Sequence, residues 1–327
     1  MSNIYSLSDT SCVERPTKNR ITYIDASKGV LIILIVLGHV FFKAKYMNFV
    51  YTFHLSSFYI ISGILFCYTN KVAQPFLVVF KKAIFSLVVP FLFFETVGGI
   101  IKKVMHQDIT ILQLVISPFK DSYSYHIPAD WYLLTAFFSE IILVCVEKAF
   151  HNKFLKIAIY ITICIIGFAL PRNGRYFPLV GRTLIATAIM ASGYYTLEVF
   201  TSIDKALIVI SVALVFCCTM INGYVSLYSI NIKNPFFYFV GTISGAYLCV
   251  SLCHLRFNKV LSIIGRNSLI IMGTHQLFIS YLHLNRYLLL LVIVLCEMPI
   301  IYVIRKYLPF CVGIKNNSEI KLRQIKE

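Results

Sequence analysis

Residues 21–42 read ITYIDASKGVLIILIVLGHVFF. The stretch is long enough to cross a bilayer, because about 20 mainly apolar residues rising 1.5 Å each span roughly 30 Å of hydrocarbon. It nevertheless carries three ionisable side chains, Asp25, Lys28 and His39. A charge near the bilayer centre costs about 2.5–3.5 kcal/mol even on insertion scales, so such groups face a cavity or a partner. At about 100° per residue, the eleven-residue step from Lys28 to His39 returns to within roughly 20° of the same direction, and Asp25 lies one turn below Lys28 on that face. Along the axis the step covers about 16 Å, half the hydrocarbon thickness. The first apolar helix therefore carries a polar stripe.

Outward from this stretch the chain stays apolar. Of its 327 residues 58% are hydrophobic and only 13% charged, with a mean hydropathy of +0.79. Soluble domains are about 45–50% apolar and about 25% charged, so a water-soluble fold is excluded. The expected fold is all-α, a polytopic membrane bundle of about ten transmembrane helices near 21–42, 48–68, 84–101, 129–146, 154–170, 184–200, 206–222, 236–255, 261–282 and 287–304. A leader over 1–20 precedes the transmembrane domain at 21–305, and a basic tail follows over 306–327. The leader is expected to be uncleaved, since no small-residue cleavage site follows the first apolar run. The longest connection, 102–128, is too short for a folded domain, which puts the chemistry inside the bundle or at its edges.

The net charge is +16. With ten spans and the amino terminus inside, two thirds of the 30 Lys and Arg fall on the inner side, so both termini are expected in the cytoplasm. Loop charge thus accounts for the excess, which lends no support to nucleic-acid binding. The ten cysteines include no C-x-x-C pair, and neither H-E-x-x-H nor a Gly-rich phosphate loop occurs, so no metal or nucleotide motif is present.

His39 follows a long uncharged run, and a neutral imidazole suits a general base that activates a hydroxyl. Lys28, about one cofactor length below, suits the phosphates of a nucleotide-bearing donor; the plainer reading has it snorkel to the headgroups. His54 opens the second span in FHLSSFYIISGILF and is expected in the same half of the membrane as His39. Trp131 starts the fourth span at the interface, where indole is favoured. Glu140 lies nine residues deeper; it orients a histidine, accepts from a basic residue, or sits in a structural ion pair. Glu95 and Glu297 are buried acids with no partner evident in sequence. Arg172, Arg175 and Arg182 form a basic cluster facing an anionic lipid or acceptor, or simply a solvated loop.

IDASKGVLIILIVLGH at 24–39 with FHLSSFYIISGILF at 53–66 resembles the amino-terminal signature of membrane-bound acyltransferase family 3, in particular its fucose 4-O-acetylase-like branch. WYLL at 131–134 with Glu140, and GRNSLIIMGTH at 265–275, are similar to the family's later landmarks. The resemblance implies a ten-helix enzyme that takes an acyl group, usually acetyl, from cytoplasmic acyl-coenzyme A and delivers it to a hydroxyl of a free or lipid-linked carbohydrate on or near the outer face. No permanently bound cofactor is expected; acyl-coenzyme A is the donor substrate. By resemblance Lys28 steadies the coenzyme A phosphates and His39 deprotonates the acceptor. From the residues themselves His54 and Glu140 are further catalytic candidates, and Trp131, Arg172 and Arg175 are candidates toward the acceptor. Where many members place arginines ahead of the third helix, this chain has Lys81 and Lys82. Larger relatives append an esterase-like domain; here transfer is expected to be direct. A glycan or lipid transporter using the same stripe, and a partner-binding subunit without chemistry, are the competing readings.

Overall fold

The computed structural model describes residues 21–42, 44–105, 110, 112, 125–174, 176–256 and 258–314. The leader at 1–20, Arg175 and the tail from 315 onward lie outside the described residues. In those residues the chain is helical, with one isolated bridge between Ser226 and Asn231. Helix α1 spans Thr22–Val40, α2 Asn48–Tyr51 and α3 Ser56–Tyr68; α4 covers Phe76–Ala83 and α5 Val89–Val104. After the 125–130 segment come α6 at Trp131–Ala149, α7 at Lys153–Ala169, α8 at Phe177–Tyr195 and the short α9 at Leu197–Thr201. The chain continues through α10 at Lys205–Asn222, α11 at Pro235–Leu255, α12 at Lys259–Arg266, α13 at Ser268–Tyr281 and α14 at Arg286–Tyr307. The end of the bundle at which α1 begins is called the near end below, and the opposite one the far end.

Local sequence accounts for most boundaries. Asn152, Asp204, Asn234, Asn258 and Asn285 each accept a first-turn N–H and so start α7, α10, α11, α12 and α14, as short polar side chains do at helix N-termini. Between α4 and α5 the helix widens into a π-turn over Ile84–Val88. Pro90 follows at once; it has no N–H and its ring crowds the carbonyl four residues back, which the wider turn relieves. The ninth expected span is broken at Asn267, whose Nδ2 donates to the Ile263 carbonyl at 2.7 Å while its Oδ1 accepts from Arg305 at 3.1 Å. A side chain bonded to its own backbone in this way competes with helix continuation.

Among the described residues, six helical runs are long and apolar enough to cross a membrane: Thr22–Val40, Lys45–Tyr68, Phe76–Val104, Lys205–Asn222, Pro235–Leu255 and Arg286–Tyr307. The other four expected spans fall on α6, α7, α8 and the broken α12–α13 pair. Helix α6 carries Glu140, Glu147 and Lys148, α7 has 17 residues, and α8 contains Arg182 with Thr183 and Thr187. Helix α8 also begins seven residues before the expected start at 184.

Helix α1 is the hub and packs on α12, α11, α13, α3 and α14. Lipid tails are as apolar as leucine, so helices in a membrane associate through close packing and internal hydrogen bonds. Small residues allow the approach. A Cβ on Gly29 would run into the Leu261 carbonyl, and one on Gly265 into the Asp25 carbonyl, which locks α1 to α12 at the near end. Gly63 and Gly193 mesh α3 with α8 in the same manner, against Met190 and Ile60.

Buried acids join the remaining helices. Glu147 accepts from Tyr160, Tyr195 and Lys156 at 2.9, 2.6 and 2.7 Å, tying α6, α7 and α8 together. Glu297 accepts from Thr274 at 2.8 Å, joining α14 to α13. Glu95 accepts the backbone N–H groups of His126 and Ile127 at 2.7 and 3.0 Å, pinning the segment ahead of α6 onto α5. Gly265→Leu is expected to wedge α1 off α12 and to cost roughly 1–3 kcal/mol, the range for overpacking. A thermal midpoint in detergent equal to that of the wild type would show that the crossing yields instead.

Candidate functional site

The stripe on α1 ends in a cavity of about 370 Å³ at the far end. Helix α1 contributes Ile35 and His39, the α2–α3 corner Tyr51, His54 and Ser56, and the start of α6 Trp131. The loop between α10 and α11 folds back as a roof, supplying Tyr224 and Tyr228, while α11 adds Tyr238 and α13 adds Met272 and Gln276. The roof turns at Gly223, whose φ of +65° lies in the region that favours glycine. It is held by the Ser226–Asn231 bridge and by the Asn234 N–H donating to Asn222 Oδ1 at 2.8 Å.

His39 sits in the last turn of α1 and lines this cavity with an exposed side chain. His54 is buried beside it and lines the same space; an added Cβ on Gly38 would lie 3.7 Å from its Nε2. Its Nδ1–H donates to the Val50 carbonyl at 2.8 Å. A carbonyl only accepts, so this bond sets the tautomer and leaves the lone pair on Nε2. The Tyr51 hydroxyl donates to the Gly38 carbonyl at 2.5 Å, satisfying one of the free carbonyls at the C-terminus of α1. Ser56 and Tyr238 share a hydrogen bond at the cavity floor.

Trp131 is buried in the cavity wall, not at an exposed interface. It covers one side of the Arg182 guanidinium at 5.1 Å from its ring centre, with Tyr228 at 5.0 Å, and the Arg182 Nε donates to the Pro178 carbonyl at 3.0 Å. The basic cluster read from the sequence therefore divides. Arg182 is fully buried as a brace between α6, α8 and the roof, whereas Arg172 is exposed.

The other sequence candidates lie away from the histidines. Glu140 pairs with Lys71 at 3.2 Å, which is the basic-residue alternative among those open from the sequence. Lys28 is half-buried on α1 and does not line the cavity. Asp25 faces Arg266 at 3.8 Å. Lys81 and Lys82 are exposed on α4, with Lys82 donating to Gln74 at 2.7 Å.

The sequence reading gave no role to His275. It is fully buried on α13 with its ring centre 5.3 Å from that of His39, and the only sequence signal was a histidine inside the apolar 265–275 block. The cavity thus has imidazoles at its wall and phenols around them. Among the described residues no group of three or more His, Cys, Asp or Glu side chains is arranged to hold a metal ion. Arg182→Lys keeps the charge but loses the stacked plane and the Nε bond. We expect a loss of about 2 kcal/mol, the scale of a desolvated cation–π contact; an unchanged thermal midpoint would show that charge alone braces the wall.

A protein-family model described as an acyltransferase domain matches residues 21–310. No curated protein and no solved structure matches the chain.

Proposed function

This chain belongs to the acyltransferase 3 family, and from that premise we propose that it is a membrane O-acyltransferase moving an acetyl group from acetyl-coenzyme A to a hydroxyl of a surface polysaccharide or its lipid-linked precursor. The observation that carries the reading is the position of His39, which lines the far-end cavity on the helix face that bears Lys28 lower down. In the proposed reaction His39 takes the proton of the acceptor hydroxyl as its oxygen attacks the thioester carbonyl. The C–O bond forms, the C–S bond breaks, and the thiolate leaves with the proton that His39 had taken. Products are the ester and free coenzyme A.

Phenols and an indole around His39 favour a carbohydrate acceptor, because rings with polar tips offer both flat apolar faces and hydroxyl partners. His54 presents an Nε2 lone pair to the same space and is suited to hold the attacking hydroxyl. Lys28, with Lys81 and Lys82 toward the near end, would meet the phosphates of the donor as compact positive charges. In this reading Glu140, paired with Lys71, takes no part in the chemistry. The two blocks at 24–39 and 53–66 support the fucose 4-O-acetylase-like branch. In this reading the chain crosses the cytoplasmic membrane ten times with both termini in the cytoplasm, and the cavity opens outward.

Membranes containing the protein should transfer labelled acetyl from acetyl-coenzyme A to glycan. His39→Ala should lower this about 10²–10⁴-fold, the usual contribution of a general base, and Lys28→Ala should chiefly raise KM for the donor. Full transfer by His39→Ala would remove the base role, and membranes that move glycan without acetylating it would replace the enzyme by a transporter.

A further inference from the structure

His275 stands beside His39, their ring centres 5.3 Å apart. Its Nδ1–H donates to the Ile271 carbonyl at 2.6 Å, one turn back on α13. That bond commits the ring to the tautomer with its lone pair on Nε2. The ring is wholly buried, and Nε2 has no hydrogen-bond partner among the described residues. A buried acceptor left in this condition loses its water without gaining a partner, so an uncompensated histidine here would be a liability for the fold.

Several donors of the site are already engaged. The His54 N–H goes to Val50, the Tyr51 hydroxyl to Gly38, and the single Thr274 hydroxyl proton lies between the Ile270 carbonyl and Glu297. The His39 ring makes no hydrogen bond among those of the described residues and lies 5.3 Å from the ring of His275, tilted by 41°. Two imidazoles joined end to end through an N–H···N bond of about 2.9 Å have centres roughly 5 Å apart. A turn of the His39 ring about its terminal torsion, which is broad for histidine, would complete the bond.

We propose that His275 is a positioning residue for acyl transfer, its Nε2 accepting the N–H of His39 so that the other His39 nitrogen presents its lone pair to the acceptor hydroxyl. This role rests on the reading of His39 as the base. A neutral imidazole has one N–H and one lone pair, and unless the N–H is held elsewhere either nitrogen can face the cavity. With His275 in place only one arrangement satisfies both rings. When His39 takes the proton of the hydroxyl it becomes a cation with two N–H groups, and the bond to His275 persists through the step. His275 itself exchanges no proton and touches no substrate.

The test uses the full-length protein in membranes with acetyl-coenzyme A and a glycan acceptor. His275→Asn carries its acceptor oxygen near the Nδ1 position and His275→Gln near the Nε2 position, so the two differ in reach toward His39. We expect His275→Asn and His275→Leu to lower kcat about 10²-fold, the scale of a misplaced reacting group, with KM for donor and acceptor unchanged and with His275→Gln recovering most of the loss. In a His39→Ala background His275→Leu should cause no further loss, since residues acting as a unit are not additive. The positioning role is overturned if Asn and Gln behave alike, if the loss falls on KM, or if His275→Leu costs as much in the His39→Ala background as alone. Wild-type membranes that transfer no acetyl overturn the reading of the site itself, and this role with it.

Discussion

Hydrocarbon supplies no hydrogen bonds, so a polar group that this bundle takes into its interior must find its partner in the protein. Three buried glutamates obey this rule by joining separate elements of the fold. Glu147 gathers three helices through Tyr160, Tyr195 and Lys156, Glu297 holds α13 to α14 through Thr274, and Glu95 fastens the 125–130 segment through two backbone N–H groups. Two histidines obey it at one nitrogen only. His54 and His275 each give one N–H to the carbonyl four residues earlier and are left with a lone pair on Nε2. The requirement that stabilises the bundle thereby also leaves two imidazoles with their acceptor nitrogens in known positions near the exposed ring of His39.

The second consequence concerns α1. At the near end it is pressed against α12 through Gly29 and Gly265 with no room for a Cβ on either. At the far end the same helix opens onto a cavity of about 370 Å³. A helix clamped at one end and uncovered at the other places His39 on a rigid support, which reactive groups need, because small displacements of a reacting group are costly. The brace of Arg182 between Trp131 and Tyr228 does the same for the opposite wall.

Much of this could be read in one dimension. The apolar runs, the Asn and Asp residues that start five helices, and the alignment of Lys28 with His39 follow from composition and the helical period. What could not be read was partnership. Glu140 was compatible with a histidine or a basic residue, and the fold put Lys71 beside it. Arg182 looked like part of an exposed cluster and is fully buried between two rings. His275 received no role from the sequence and stands next to His39.

The sequence by itself determined an all-helical chain made for lipid and a helix with a polar stripe, because these depend on residue type and on neighbours within a few turns. The tertiary structure alone decided which buried polar groups meet, where the cavity opens and which histidines share it. Those pairings join residues far apart in the chain, and the helical period carries no information about which faces will be brought together.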